Sequence, residues 1–246
     1  MKDKIRVALI IPCYNEQDVV ATLFQEIGRT VFPEGMAVTP IFINDCSTDN
    51  TRQVLIEHGI TFIDLPVNLG IGGAVQTGYK YAFRSGYDIA VQMDGDGQHP
   101  PSELHKILKP MADGLADIVI GSRYLTREGF QSSSLRRTGI NYFRWLNQRL
   151  VGLTIHDSTS GYRALNRKAL ELVSDYYPDE YPEPEAIVLY ALNGLKIGET
   201  PVIMRERQGG TSSIRAHKTI YYMFKVTLGT IFLYIRLKFN GKRHIL

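Results

Sequence analysis

The chain has 246 residues and 27.8 kDa, 44% of them apolar and 10% aromatic, enough for one sizeable core and too apolar for a disordered protein. Two cysteines, Cys13 and Cys46, exclude a disulfide scaffold and a CxxC zinc site. Net charge is only +3 but uneven: from Arg205 onward nine Lys/Arg and one acid give +8, while the rest holds 19 basic and 24 acidic residues, or −5. Such a basic tail suits nucleic acid, an anionic membrane surface or a polyanionic ligand.

The opening apolar run is short and meets polar CYNEQD at once. It reads as no cleavable signal, so a reducing cytosol is expected. Short, β-branched runs follow at 7–11, 40–43, 61–65, 89–93 and 118–120. Segments of helical period separate them at 16–31, 48–58, 71–85 and 102–112. This alternation predicts a doubly wound α/β fold with a Rossmann-like, mostly parallel sheet flanked by helices. Beyond it, 122–134 reads as a polar loop and 135–150 as a helix. A strand near 161–166, a helix near 167–174, a loop over 176–184, a helix at 185–193 and a strand near 196–206 come next. The simplest division is one domain over 1–213 and a basic amphipathic helical appendage over 214–246.

In that last segment Lys218, Lys225 and Arg236 share a narrow stripe, and most of the remaining circumference is apolar. The uninterrupted apolar run 226–235 spans about 15 Å, half of a bilayer core of about 30 Å. The helix is therefore expected to lie in a membrane interface or against a membrane partner, without spanning alone. Packing on the core is the competing expectation.

Polar residues crowd four successive strand ends: Pro12-Cys13-Tyr14-Asn15-Glu16, Asn44-Asp45-Cys46-Ser47-Thr48-Asp49, Asn68-Leu69-Gly70, and Asp94-Gly95-Asp96-Gly97-Gln98-His99. Ligands collect at such ends. On an extended chain residues i and i+2 point the same way, so Asp94 and Asp96 are expected to converge. The intervening glycine would let a ligand approach the backbone. Two carboxylates and Gln98 suit a hard cation, Mg²⁺ or Mn²⁺, that takes its remaining ligands from water and substrate phosphates. His99 adjoins this motif as a candidate for a ligand or metal contact. Gly70-Ile71-Gly72-Gly73 matches neither the dinucleotide fingerprint nor a P-loop. It opens a helix that either faces a phosphate or packs closely. Cys13 and Cys46 lie at neighbouring strand ends as reduced thiols.

IIPCYNE, INDCSTD, NLGIGGA and MDGDGQHPP, in this order and spacing, resemble the family 2 glycosyltransferases of GT-A fold. GSRY, DSTSGYRALNR and ERQGGTSS resemble their polyprenyl-phosphate branch, which includes dolichol-phosphate mannose synthase. Asn44 departs from the family's usual Asp, and Gly97 from a frequent Leu. No counterpart is legible for the two membrane-spanning helices of many bacterial relatives.

The resemblance implies an inverting, metal-dependent transfer of a sugar from a nucleotide diphosphate, UDP rather than GDP, to a polyprenyl phosphate such as undecaprenyl phosphate. The expected site is peripheral, at the cytoplasmic face of the cell membrane. It implies no nucleic-acid partner, and leaves room for a small separate membrane protein. Transfer to a sugar hydroxyl and a non-catalytic nucleotide-sugar-binding module are the alternatives. By the same resemblance, Pro12, Tyr14, Glu16, Asn44, Asp45, Asn68, Gly73 and Asp94 would bind the nucleotide sugar. Asp94, Asp96 and Gln98 would hold the metal. Asp157, with Asp96, would be catalytic, Asp157 as base with Glu183 and Glu185 as rivals. Six arginines between 123 and 149 face one acid, Glu128. Arginine pairs bidentately with phosphate, so Arg123, Arg137 and the later Arg207 are the expected phosphate contacts.

Overall fold

The computed structural model describes residues 4–126, 128, 134–179, 181–206 and 219–239. Strand β1 (Ile5–Cys13) is buried over seven consecutive residues. Continuous β-branched burial of this kind requires helices on both faces of a parallel sheet. Val7, Leu9 and Ile11 enter one core, and Ala8 and Ile10 enter the other, as a period of two dictates.

The chain continues through α1 (Val20–Arg29), β2 (Met36–Asn44), α2 (Thr51–Glu57), β3 (Phe62–Asp64), α3 (Gly70–Arg84), β4 (Ile89–Gln92), α4 (Leu104–Ala112) and β5 (Ile118–Ser122). Then come α5 (Ser134–Val151), β6 (Arg163–Asn166), α6 (Arg167–Asp175), α7 (Pro182–Leu192), β7 (Ile197–Pro201) and α8 (Thr219–Phe239). The strand order is β3-β2-β1-β4-β6-β5-β7. Strands β1, β2, β3 and β4 pair in parallel, as do β5 and β7, while β6 is antiparallel to both its neighbours. Helices α1, α2 and α4 cover one face, and α3, α6 and α7 the other. Chain order reverses between β1 and β4, and a crevice for ligands opens at the carboxyl ends of strands at such a switch point.

Several boundaries differ from expectation, β2 starting at Met36 rather than 40 and α2 at Thr51 rather than 48 among them. Helix α1 starts at Val20 rather than 16, because Asn15 holds φ +57° and the Val19 and Val20 amides both close a turn onto the Glu16 carbonyl. Helix α7 starts at Pro182, inside the expected loop. Proline is tolerated in a first turn, where its missing N–H has no intrahelical partner to lose. Strand β7 stops at Pro201 rather than near 206.

Helix α8 has two working faces. Val226 packs with Phe143 and Leu146 of α5, and Leu233 and Leu237 pack with Leu189 of α7. Tyr221, Phe224, Leu228, Phe232, Ile235 and Phe239, spaced three or four apart, are exposed along one stripe. Among the described residues no helix is long and apolar enough to cross a membrane. Residues 214–218 and 240–246 of the expected appendage lie outside the described residues.

Candidate active site at the carboxyl edge of the sheet

The turns after β1 and β2 hold each other. Asn15 Oδ1 accepts the Thr48 and Asp49 amides at 2.8 and 3.3 Å, and the Asn15 amide donates to Ser47 Oγ at 3.0 Å. The Glu16 amide donates to Thr51 Oγ1, and the Gln17 amide to Asp49. The SerThrAsp run is therefore a brace as well as a helix entry. It leaves Pro12 and Glu16 buried and Tyr14 exposed at the rim.

Asn44, expected at the nucleotide, is buried, and its side chain is held within the chain. Its Nδ2 donates to Asp64 at 2.7 Å and its Oδ1 accepts the Ser47 amide at 3.4 Å. Asp45 Oδ1 accepts the Leu69 amide at 2.7 Å, and Asn68 Oδ1 accepts the Gly70 amide at 3.2 Å. An acid and an amide thus cap the positive end of α3. Burial raises the Asp45 carboxyl, and the Leu69 and Gly70 amides oppose that rise. Close packing accounts for part of the glycine stretch and for Gly78 further along α3. A Cβ at Gly72 would overlap the backbone of Pro178 and Asp179, one at Gly73 would stand 2.5 Å from Leu69 Cβ, and one at Gly78 would strike Ile10. The two thiols point apart, Cys13 to the Ile43 carbonyl and Cys46 to that of Pro66. Burial pushes the Cys13 thiol up.

Strand β4 ends at Gln92, so Asp94-Gly95-Asp96 lies in a turn beyond it, not on extended chain. The role of Gly95 differs from expectation. Its amide donates to the Pro12 carbonyl at 3.2 Å, and a Cβ there would meet that oxygen at 2.7 Å. The glycine admits β1 rather than a ligand. The Asp94 side chain is 32% exposed. Asp96 is 6% exposed, and its Oδ1 accepts the Gln98 amide at 3.0 Å. His99 faces inward: Nδ1 accepts the Asp94 amide at 3.0 Å, leaving Nε2 to carry the proton of the neutral ring, and the ring stacks on Tyr162 at 4.7 Å. Among the described residues no group of three His, Cys, Asp or Glu could hold a metal alone. Two carboxylates with the Gln98 amide fit a hard cation whose shell substrate phosphates complete.

Asp157 does not occupy a base's position. It is fully buried, and Arg123 grips it through Nε to Oδ2 at 2.7 Å and Nη2 to Oδ1 at 2.8 Å. The Arg123 amide and Thr159 hydroxyl also bond it. A carboxylate so committed holds an arginine in place and is shielded from solvent. Burial works against the Arg123 charge, but the Asp157 carboxylate outweighs it and holds the guanidinium above its usual range. Asp94 acts in the same direction, which sets Arg123 within electrostatic reach of the turn. Arg137 is exposed on α5. Arg207 lies outside the described residues, as do 127 and 129–133 of the expected 122–134 loop.

Sequence reasoning missed Glu199 on β7, whose carboxylate takes the His156 and Asp157 amides at 2.8 and 2.9 Å. A single acid in a strand carries no signal that it braces a distant loop. Of the rival bases, Glu183 is half-buried and acts electrostatically on Tyr79, Tyr177 and Tyr190. Glu185 turns to α8, where Gly229 makes room for it: a Cβ there would stand 2.7 Å from Oε2. Burial pushes Glu185 up to about 7, Asp179 adds to the rise, and Tyr176 opposes it. Between about pH 4.5 and 7 the folded chain keeps a proton that the unfolded chain has lost. Stability therefore falls as pH rises through that window and levels off above it. Glu185→Gln is expected to match wild type at pH 5 and to exceed it by up to about 3 kcal/mol at pH 8, read from urea unfolding at both.

The family model described as Glycosyl transferase family 2 matches residues 8–173. A UDP-N-acetylglucosamine–dolichyl-phosphate N-acetylglucosaminyltransferase of Methanococcus voltae is 29% identical, over 94% of this chain and 91% of that protein. A polyprenol monophosphomannose synthase of Mycolicibacterium smegmatis is 32% identical, over 90% and 85%. Among solved structures, glucosyl-3-phosphoglycerate synthase of Mycobacterium tuberculosis, in complex with Mn²⁺, UDP and glucosyl-3-phosphoglycerate, superposes with a TM-score of 0.67. It is 18% identical, over 93% of this chain and 79% of that one, a likeness of fold.

Proposed function

The chain belongs to glycosyl transferase family 2, and from that premise we propose that it is an inverting, divalent-metal-dependent enzyme carrying a sugar from UDP to a polyprenyl phosphate such as undecaprenyl phosphate. Its relatives' names, its GT-A fold and the acid-and-arginine edge of its sheet support this reading. The observation that carries it is the Asp94-Gly95-Asp96 turn at the switch between β1 and β4, with Arg123 in electrostatic reach.

Asp94, Asp96 and Gln98 would hold Mg²⁺ or Mn²⁺, which supplies charge stabilisation for the departing diphosphate. Pro12, Tyr14, Glu16 and Asp45 would line the nucleoside pocket. Asp157 holds the Arg123 fork in place, and Arg123 with Arg137 would draw the acceptor phosphate. The buried pair bears on the acceptor. A phosphate monoester has its second pKa near 6 and is largely ionised at pH 7, so it attacks with little help from a base. A sugar hydroxyl would need an accessible base, and Asp157 is not accessible. Hence the lipid phosphate is favoured over the hydroxyl.

The exposed stripe on α8 supports peripheral attachment to a membrane surface, which this reading places at the cytoplasmic face. It has no acidic neighbour within 219–239, and Lys225 and Lys238 lie over Tyr221 and Tyr234 on its flank. The test is incubation with radiolabelled UDP- and GDP-sugars and vesicles carrying undecaprenyl phosphate. Label is expected in the organic phase from a UDP-sugar, with the chain sedimenting on the vesicles, and Phe224→Asp/Phe232→Asp is expected to stay in the supernatant. Binding of the nucleotide sugar without transfer to undecaprenyl phosphate would overturn the lipid-phosphate acceptor. Full sedimentation of the double variant would overturn the role of the stripe.

A further inference from the structure

Of three consecutive residues at the entry to β6, the first lies against Asp94 and the other two brace its surroundings. The main chain of Gly161 lies against its carboxylate: a Cβ at 161 would stand 3.1 and 3.3 Å from the two Asp94 oxygens and 2.8 Å from Gln92 Nε2. Gln92, fully buried at the end of β4, donates that Nε2 to Asp94 Oδ1 at 3.4 Å and receives Tyr79 Oη at the same distance. Tyr162 stacks on His99, whose Nδ1 accepts the Asp94 amide, and the Tyr162 hydroxyl donates to the Pro100 carbonyl at 3.1 Å. Arg163 pairs across the sheet with Gln92 and is fully buried. Its Nε donates to the Ser160 carbonyl at 2.7 Å and its Nη2 to that of Ser158 at 2.9 Å.

A buried guanidinium would ordinarily be paired with a carboxylate. This one spends two donors on the backbone of the segment that carries Asp157 at one end and Gly161 at the other. Asp157 aims Arg123, and Gly161 backs Asp94. The antiparallel direction of β6 makes this possible, because it brings the residues before the strand to the carboxyl edge of β4.

We infer that Gly161-Tyr162-Arg163 is a positioning wall for the metal-binding aspartate: Gly161 sets the depth of the Asp94 carboxylate, Tyr162 fixes its main chain through His99, and Arg163 clamps the loop that carries both this wall and the mate of Arg123. None of the three touches substrate. The inference rests on Asp94 being a metal ligand, as proposed above.

Calorimetric titration of UDP with Mn²⁺ and with a chelator separates positioning from fold. Wild type is expected to bind UDP more tightly with Mn²⁺. Gly161→Ala is expected to lose roughly 10- to 100-fold of that Mn²⁺-dependent gain, the scale of an ångström-size misplacement, with metal-free affinity and melting temperature near wild type. Tyr162→Leu is expected to lose the gain as well, and Tyr162→Phe, which keeps the ring over His99, to restore it. Tyr162→Leu, with Tyr162→Phe beside it, carries the test if Gly161→Ala does not fold. A wild-type gain in Gly161→Ala, or in Tyr162→Leu where that variant carries the test, overturns the wall. So does an equal loss with and without Mn²⁺. Absence of any gain in wild type itself overturns the metal assignment, and the wall with it.

Discussion

Asp96→Asn is expected to abolish turnover and to erase the Mn²⁺-dependent gain in nucleotide affinity. The substitution isolates charge from structure. Asp96 Oδ1 accepts the Gln98 amide, and an asparagine oxygen can accept the same bond, so the turn has a reason to survive. What disappears is one of two anionic ligands to the cation. Stabilisation of a leaving diphosphate by a metal contributes several kcal/mol, and each 1.36 kcal/mol is about tenfold in rate. A fall of at least about 10³-fold in kcat is therefore expected, with circular dichroism and melting temperature near wild type. Single-turnover kinetics beside UDP titration, with and without Mn²⁺, checks it. Equal Mn²⁺-dependent affinity in wild type and variant would remove the metal from Asp96.

The second large effect falls on the Arg123–Asp157 pair, and it begins with stability. Both partners are buried, and Asp157 is fully so. Removing one member leaves the other charge uncompensated in low dielectric, which costs about 3–5 kcal/mol. Arg123→Met and Asp157→Leu are each expected to lose that much in urea unfolding. The double variant is expected to regain most of it, because two apolar side chains of similar volume replace a buried pair without leaving a charge behind. Activity should follow a different order. Both Arg123→Met and the double variant should lose acceptor turnover, since neither presents a guanidinium near Asp94. A double variant that regains activity along with stability would make the pair a scaffold alone. Additive losses in stability would show that the two charges do not depend on each other.

Much of the fold was legible because its signals are local. The β1 run reads as a strand buried on both faces, and β1 is buried on both faces. The helical periods of 71–85 and 135–150 fall within one residue of α3 and α5 at each end. The acid-rich strand ends point to the carboxyl edge, where the structure gathers Pro12, Asp45 and Asp94. Less local features misled. Glycine at 95 reads as room for a ligand, yet the atom that needs the room is the Pro12 carbonyl, 83 residues earlier in the chain. Proline at 182 reads as loop and opens a helix, because a first turn has no use for the N–H it lacks.

Sequence alone determined the alternation of strands and helices, the family motifs and the carboxylate pair, since each is a property of neighbours along the chain. Tertiary structure decided the roles. Periodicity carries no direction, so nothing in 163–166 announces that β6 runs antiparallel between β4 and β5. That reversal sets Arg163 opposite Gln92 and Gly161 behind Asp94. Nor does an aspartate at 157 reveal whether it meets water, substrate or an arginine 34 residues away; the grip of Arg123 turns an expected base into a brace. The apolar circumference of α8 was legible, but which part of it faces α5 and α7 and which part stays exposed was not. A helical repeat defines a stripe, and only the surface packed against it selects the side that is buried.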